Sequence, residues 1–150
     1  MTKAFAAILL ALTLPLAAHA QGTDIAFGGL RQDTTLPVEV AADRLAVNQT
    51  DGTATFSGNV VVVQGEMRMS AAEIRVEYGK TGQDIEKLYA TGGVTIANAA
   101  DAAEAREAVY TIASGAVVMT GDVLLTQGQN AISGQTLRLD LKAGTGTMEG

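Results

Sequence analysis

The chain has no cysteine and no tryptophan, a single histidine (His19) and only two prolines among its 150 residues. The missing thiols exclude disulfides, thiol redox chemistry and cysteine nucleophiles. Lys and Arg number 10 against 16 Asp and Glu, a formal net charge of −6. Nucleic acid selects a basic face and anionic lipid heads select a polybasic one, so the acidic balance speaks against both partners. An apolar run covers residues 4–14, well short of the roughly 20 residues that a bilayer span needs.

That run has a different meaning. Lys3 precedes it, Pro15 follows it, and Ala18-His19-Ala20 forms an A-x-A site before Gln21. This is the layout of a secretory signal peptide, so residues 1–20 are expected to be removed. The mature chain, 21–150, then keeps one proline (Pro37) and nine basic against sixteen acidic residues, a net −7. It also loses its histidine. Ser-His-Asp and Cys-His nucleophilic sites and the usual zinc sites are thereby excluded. Residues 21–36 read as a flexible N-terminal extension and 37–150 as one domain, a length typical of a single core.

Carboxylates are what remains for chemistry, and their pattern does not favour it. Glu73, Glu77 and Asp140 alternate with apolar residues, as on the wet face of a strand. Asp101, Glu104 and Glu107 lie in the Ala-rich stretch 97–108 (ANAADAAEAREA). That stretch reads as a loop or short helix, on its helical propensity, rather than as a metal site. No catalytic residue, metal or cofactor is expected, and no nucleotide-binding motif is present.

An internal repeat organises the chain. Residues 54–78 align with 117–141 at an offset of 63 without gaps. Six positions are identical: Gly58/Gly121, Val60/Val123, Gln64/Gln127, Gly65/Gly128, Ser70/Ser133 and Arg75/Arg138. A shorter signature, G-x-x-x-[Phe/Met]-x-Gly, recurs at 52–58, 115–121 and 144–150, with a weaker copy ending at Gly92. Each unit is β in character. Ile74, Val76 and Tyr78 alternate with Arg75 and Glu77; Leu137, Leu139 and Leu141 alternate with Arg138 and Asp140. Such period-two alternation marks a strand with one buried face. The recurrent glycine admits two readings: a bulge or close approach of layers, or room left along the axis for something other than side chain.

The runs P-V-E-V-A-A-D-R-L (37–45), G-T-A-T-F-S-G-N-V-V-V-V-Q-G (52–65) and A-A-E-I-R-V-E-Y (71–78) resemble the OstA-like (LptA) family of lipopolysaccharide-transport proteins. The resemblance covers 37–141 and departs from the family's pattern in the Ala-rich middle. It implies an all-β twisted jellyroll: two facing antiparallel sheets, an apolar interior and both ends open. It further implies that acyl chains of lipopolysaccharide bind inside, in the periplasm. Copies are implied to stack end to end, with an inner-membrane-anchored OstA-like partner at the N-terminal edge and an outer-membrane barrel partner at the C-terminal edge. Parity gives the inward candidates Phe56, Val60, Val62, Ile74, Val76, Tyr78, Met119, Val123, Leu125, Leu137 and Leu139. The edge candidates for strand addition are Leu36, Val38, Val40, Thr145, Thr147 and Met148. The competing expectation is a structural β-solenoid scaffold with a dry core. A carboxylate hydrolase is disfavoured, with no tryptophan for sugar stacking.

Overall fold

The computed structural model describes residues 23–26, 31–80, 82 and 84–150, so the expected signal peptide lies outside the described residues. Ten strands follow in order: β1 (Thr23–Ala26), β2 (Glu39–Ala41), β3 (Arg44–Asn48), β4 (Thr53–Gln64), β5 (Met67–Tyr78), β6 (Ile85–Ala97), β7 (Asp101–Thr111), β8 (Ala116–Gln127), β9 (Asn130–Asp140) and β10 (Thr145–Glu149). All pairings are antiparallel, in the order β1-β10-β9-β8-β7-β6-β5-β4-β2, and β3 pairs the other end of β4.

Neighbours in sequence are neighbours in the sheet because short turns join them, and glycines supply the positive φ that such turns need (Gly52, Gly65, Gly115, Gly128 and Gly144, φ +58 to +73). Strands β4 to β9, at 11–13 residues, are long for a globular protein, and their pairing is interrupted near the middle. From β4 to β9 the register shifts once in the interior of every pair, for example between Ser57 and Val60 and between Thr120 and Val123. The extra residue always falls on β4, β6 or β8, at Gly58-Asn59, Gly92-Gly93 and Gly121-Asp122, where both residues have positive φ. The facing strands answer with two consecutive residues turned outward, Ala72-Glu73 on β5 and Arg106-Glu107 on β7 apart from a partly covered edge. Aligned bulges bend a sheet. Here they crease it into two halves: 53–57, 73–78, 85–91, 107–111, 116–120 and 136–140 with β3 and β10, against 60–64, 67–71, 94–97, 101–105, 123–127 and 130–134 with β2.

The inward residues of both halves form one hydrophobic cluster, so the halves face each other. The result is a β-jellyroll in which the two facing sheets are halves of one continuous sheet.

Three expectations need correction. The stretch 97–108 is no loop or helix: from Asp101 it is strand β7, in which Ala103, Ala105 and Ala108 face the core. Alanine's helical preference is weak, and pairing with β6 and β8 on both sides outweighs it. The recurrent glycines leave no room along the axis. They are bulge residues, and a Cβ on Gly92 would lie 2.5 Å from that of Ala72, while one on Gly121 would meet the Arg106 side chain. Finally, Thr145–Glu149 is not the outermost strand, because β1 pairs with it through Thr23↔Met148 to Ala26↔Thr145.

Candidate functional site

The candidate site is the packed apolar interior where the half-sheets face each other. Of the inward candidates, Val60, Val62, Ile74, Val76, Met119, Val123, Leu125, Leu137 and Leu139 all belong to the buried cluster. Phe56 and Tyr78 are half-buried and pack against it, near the open β3 edge. Parity thus brings together residues from four strands separated by up to 79 positions (Val60 to Leu139). It omits Met67, Met69, Leu88, Ala103, Tyr110 and Val117, which are equally buried. For Met67 and Met69 the alternation with Arg68 and Ser70 carried the signal. For Ala103 and Tyr110 the helical appearance of the Ala-rich segment obscured it.

The two rows that face each other are apolar along their length. Among the described residues, the buried polar and charged ones are Gln32, Thr34, Gln64 and Asp101. Tyr110 adds a phenol from the core. Its hydroxyl donates to Gln64 Oε1 at 2.7 Å, joining one half-sheet to the other. Burial pushes its pKa up from 10.0 to about 12, because the phenolate would lose its water. Charges sit on the outside: Arg75 lies over the Tyr89 ring (4.4 Å) and 3.7 Å from Glu77, and Arg106 pairs with Asp122 beside a bulge. Among the described residues no group of acidic side chains is placed to hold a metal ion.

The edge candidates divide. Val38 and Val40 pack against the core, Met148 is inside it, Thr147 is half-buried, and Leu36 and Thr145 are exposed. Parity missed the most exposed apolar pair, Leu45 and Val47 on β3, at 57% and 64%. They line a cleft of about 480 Å³ with Ala54 and Tyr78, at the end of β4 that lies between β3 and β5. An exposed β edge with apolar side chains invites another strand.

Against known proteins, residues 39–145 match the family described as LptA/(LptD N-terminal domain) LPS transport protein. The chain belongs to this family. That family is one of transport proteins rather than of enzymes. The lipopolysaccharide export system protein LptA of Escherichia coli K12 is 27% identical over 135 residues, covering 85% of this chain and 72% of that protein. An uncharacterized protein of Rhizobium meliloti is 26% identical over 141 residues, covering 89% and 76%. The crystal structure of LptH, the LptA-homologous periplasmic component from Pseudomonas aeruginosa, superposes with a TM-score of 0.70 at 19% identity, covering 78% of this chain and 85% of that one. This last likeness is one of fold.

Proposed function

We propose that this protein carries lipopolysaccharide through the periplasm, holding the lipid A acyl chains between its half-sheets and bridging inner- and outer-membrane components. The observation that carries the reading is the pair of facing apolar rows, one on each side of the crease, with the buried polar groups of the described residues at Gln32, Thr34 and the strand ends Gln64 and Asp101. Burying one methylene is worth roughly 0.8 kcal/mol, so a chain of a dozen resists release into water by about 10 kcal/mol. A lipid can cross an aqueous compartment only by moving between like interiors, each replacing the contacts of the last. Stacked jellyrolls supply that continuity.

The exposed β3 edge, with Leu45 and Val47, suits strand addition by an inner-membrane-anchored OstA-like partner or by another copy of this chain. At the other end an outer-membrane barrel partner, or the next copy, would meet β1 outside β10 or take its place.

A photoreactive residue at Val62, inside, and at Arg75, outside, tests the carrier reading in cells. A lipopolysaccharide adduct at Val62 and none at Arg75 is the expected result. With the protein folded and no adduct at Val62, the interior is dry there, and the chain is a structural scaffold instead.

A further inference from the structure

The crease closes one side of the interior, and the other side is a seam between two rows of strand tips. On one half-sheet the tips include Gly79, Gly82 and Asp84 and the turns at 112–115 and 141–144; on the other they include Gln64-Gly65. Residues 31–38 run along this seam. Gln32 N donates to Leu141 O at 2.7 Å, and a methyl of Thr34 lies 3.5 Å from where a Cβ on Gly115 would be. Thr34 to Val38 then share a cavity of about 420 Å³ with Asp84, Ile85 and Ile112. Those contacts are all to one half-sheet.

The contacts to the other half-sheet converge on one side chain. Gln64 Nε2 donates to Thr34 O (3.1 Å) and Leu36 O (2.9 Å), and Gln32 Nε2 donates to Gln64 O (2.5 Å). Tyr110 OH fills the remaining acceptor, Gln64 Oε1. Gln64 is 1% exposed. It is also one of the six identities of the repeat, and nothing in the carrier reading uses it. The buried polar side chains of an otherwise apolar interior are thus gathered where the halves meet.

We propose that residues 31–38 are a strap over the seam, clasped by Gln32, Gln64 and Tyr110, and that acyl chains enter the interior only when this clasp lets go. The inference rests on the carrier reading. Its physical basis is the kind of bond chosen. Val60, Val62, Ile74, Val76, Met119 and Leu125 are at most 0% exposed and lie in mutual contact, so a lipid chain needs the halves to part. A seam held by apolar contact alone would resist parting as strongly as the core does. Hydrogen bonds exchange for bonds to water at small net cost, so a polar seam opens reversibly. Pro37 and the exposed Asp33-Thr35 turn leave the strap few backbone bonds of its own to lose.

The chain has no thiol, which makes a reversible lock clean. A Cβ on Gly65 would lie 2.7 Å from Leu36 Cδ1, so Leu36→Cys with Gly65→Cys ties the strap to the second half-sheet. Purified lipopolysaccharide is offered to the full mature protein carrying the Val62 photoreactive residue. Oxidised, this variant is expected to lose at least tenfold in adduct, and reductant restores it; Tyr110→Phe in the unlocked protein speeds uptake several-fold. Equal uptake by oxidised and reduced forms, with the disulfide verified, overturns the strap and leaves the carrier standing. No uptake by the reduced form, the unaltered protein or a form lacking 21–36 overturns both. Exchange of the Gln64 side-chain amide, which donates to Thr34 O and Leu36 O, decides the matter in the unaltered protein without the lock: at least tenfold faster exchange on lipid loading is expected, and unchanged protection refutes the strap.

Discussion

At one end of the sheet Leu45 and Val47 stand mostly in water on β3; at the other Met148 is 5% exposed on β10. Both strands follow the same alternation and both flank a long strand of the core. They differ in what lies across from them. Met148 reaches the opposite half-sheet at Gly134, where a Cβ would come within 2.7 Å of its sulfur, and β1 covers the outer side of its strand. Among the described residues nothing plays either role for β3. An apolar side chain on a strand is core only when another layer stands opposite and another strand stands beside it. Among the described residues one end of the sheet is covered by the chain itself, and at the other the apolar side chains of β3 stay exposed.

Substitutions at the two ends and along the crease between them test the contrast. Met148→Ala at the closed end should cost about 2–5 kcal/mol in urea denaturation, as for other large-to-small changes in packed sites; a cost below about 1 kcal/mol would make the two ends alike. Gly92→Ala acts on the crease that both ends share. Its φ of +81° and the close Ala72 Cβ set a penalty of about 1–3 kcal/mol, and Gly52→Ala, with open space around it, should lose only about 1 kcal/mol.

Tyr110→Phe leaves Gln64 Oε1 without its donor and should cost about 1–3 kcal/mol. The same phenol gives an alkaline signature. Its folded pKa of about 12 stands above the unfolded 10.0, so its contribution is complete below pH 10 and is lost as pH rises through 12. An ultraviolet titration should show a phenolate component near pH 12 that the variant lacks. Smallest of all, Leu45→Lys at the open end should shift stability by no more than about 0.5 kcal/mol. It should nonetheless weaken end-to-end association measured by sedimentation. A large loss of stability instead would show that β3 is part of the core.

Much of the architecture was legible in the residues. Ile74-Val76 and Leu137-Leu139 alternate so regularly that their strands and inward faces follow from parity, and the 63-residue offset announced equivalent strand pairs. Helix-like composition misled at 97–108, since Ala103, Ala105 and Ala108 read as helix formers until β6 and β8 flank them. The glycines showed where something unusual happens, not what. Whether Gly58, Gly92 and Gly121 open a space or bend a strand depends on the atoms opposite, Asp43, Ala72 and Arg106, which are remote in the sequence or belong to another strand. Gln64 was visible as a repeated residue and silent as a clasp.

Read as a string, the residues established that the chain is β, that it is built from a duplicated strand unit, and that its core is apolar without thiol staples. These follow from composition and period, which are local properties. Only the tertiary structure decided that one continuous sheet folds on a row of bulges to face itself, that β1 covers β10 while β3 stays open, and that residues 31–38 close the seam through Gln64. Each of those depends on which distant atoms come to lie opposite one another, and a one-dimensional pattern carries the side a residue faces but not what stands there to meet it.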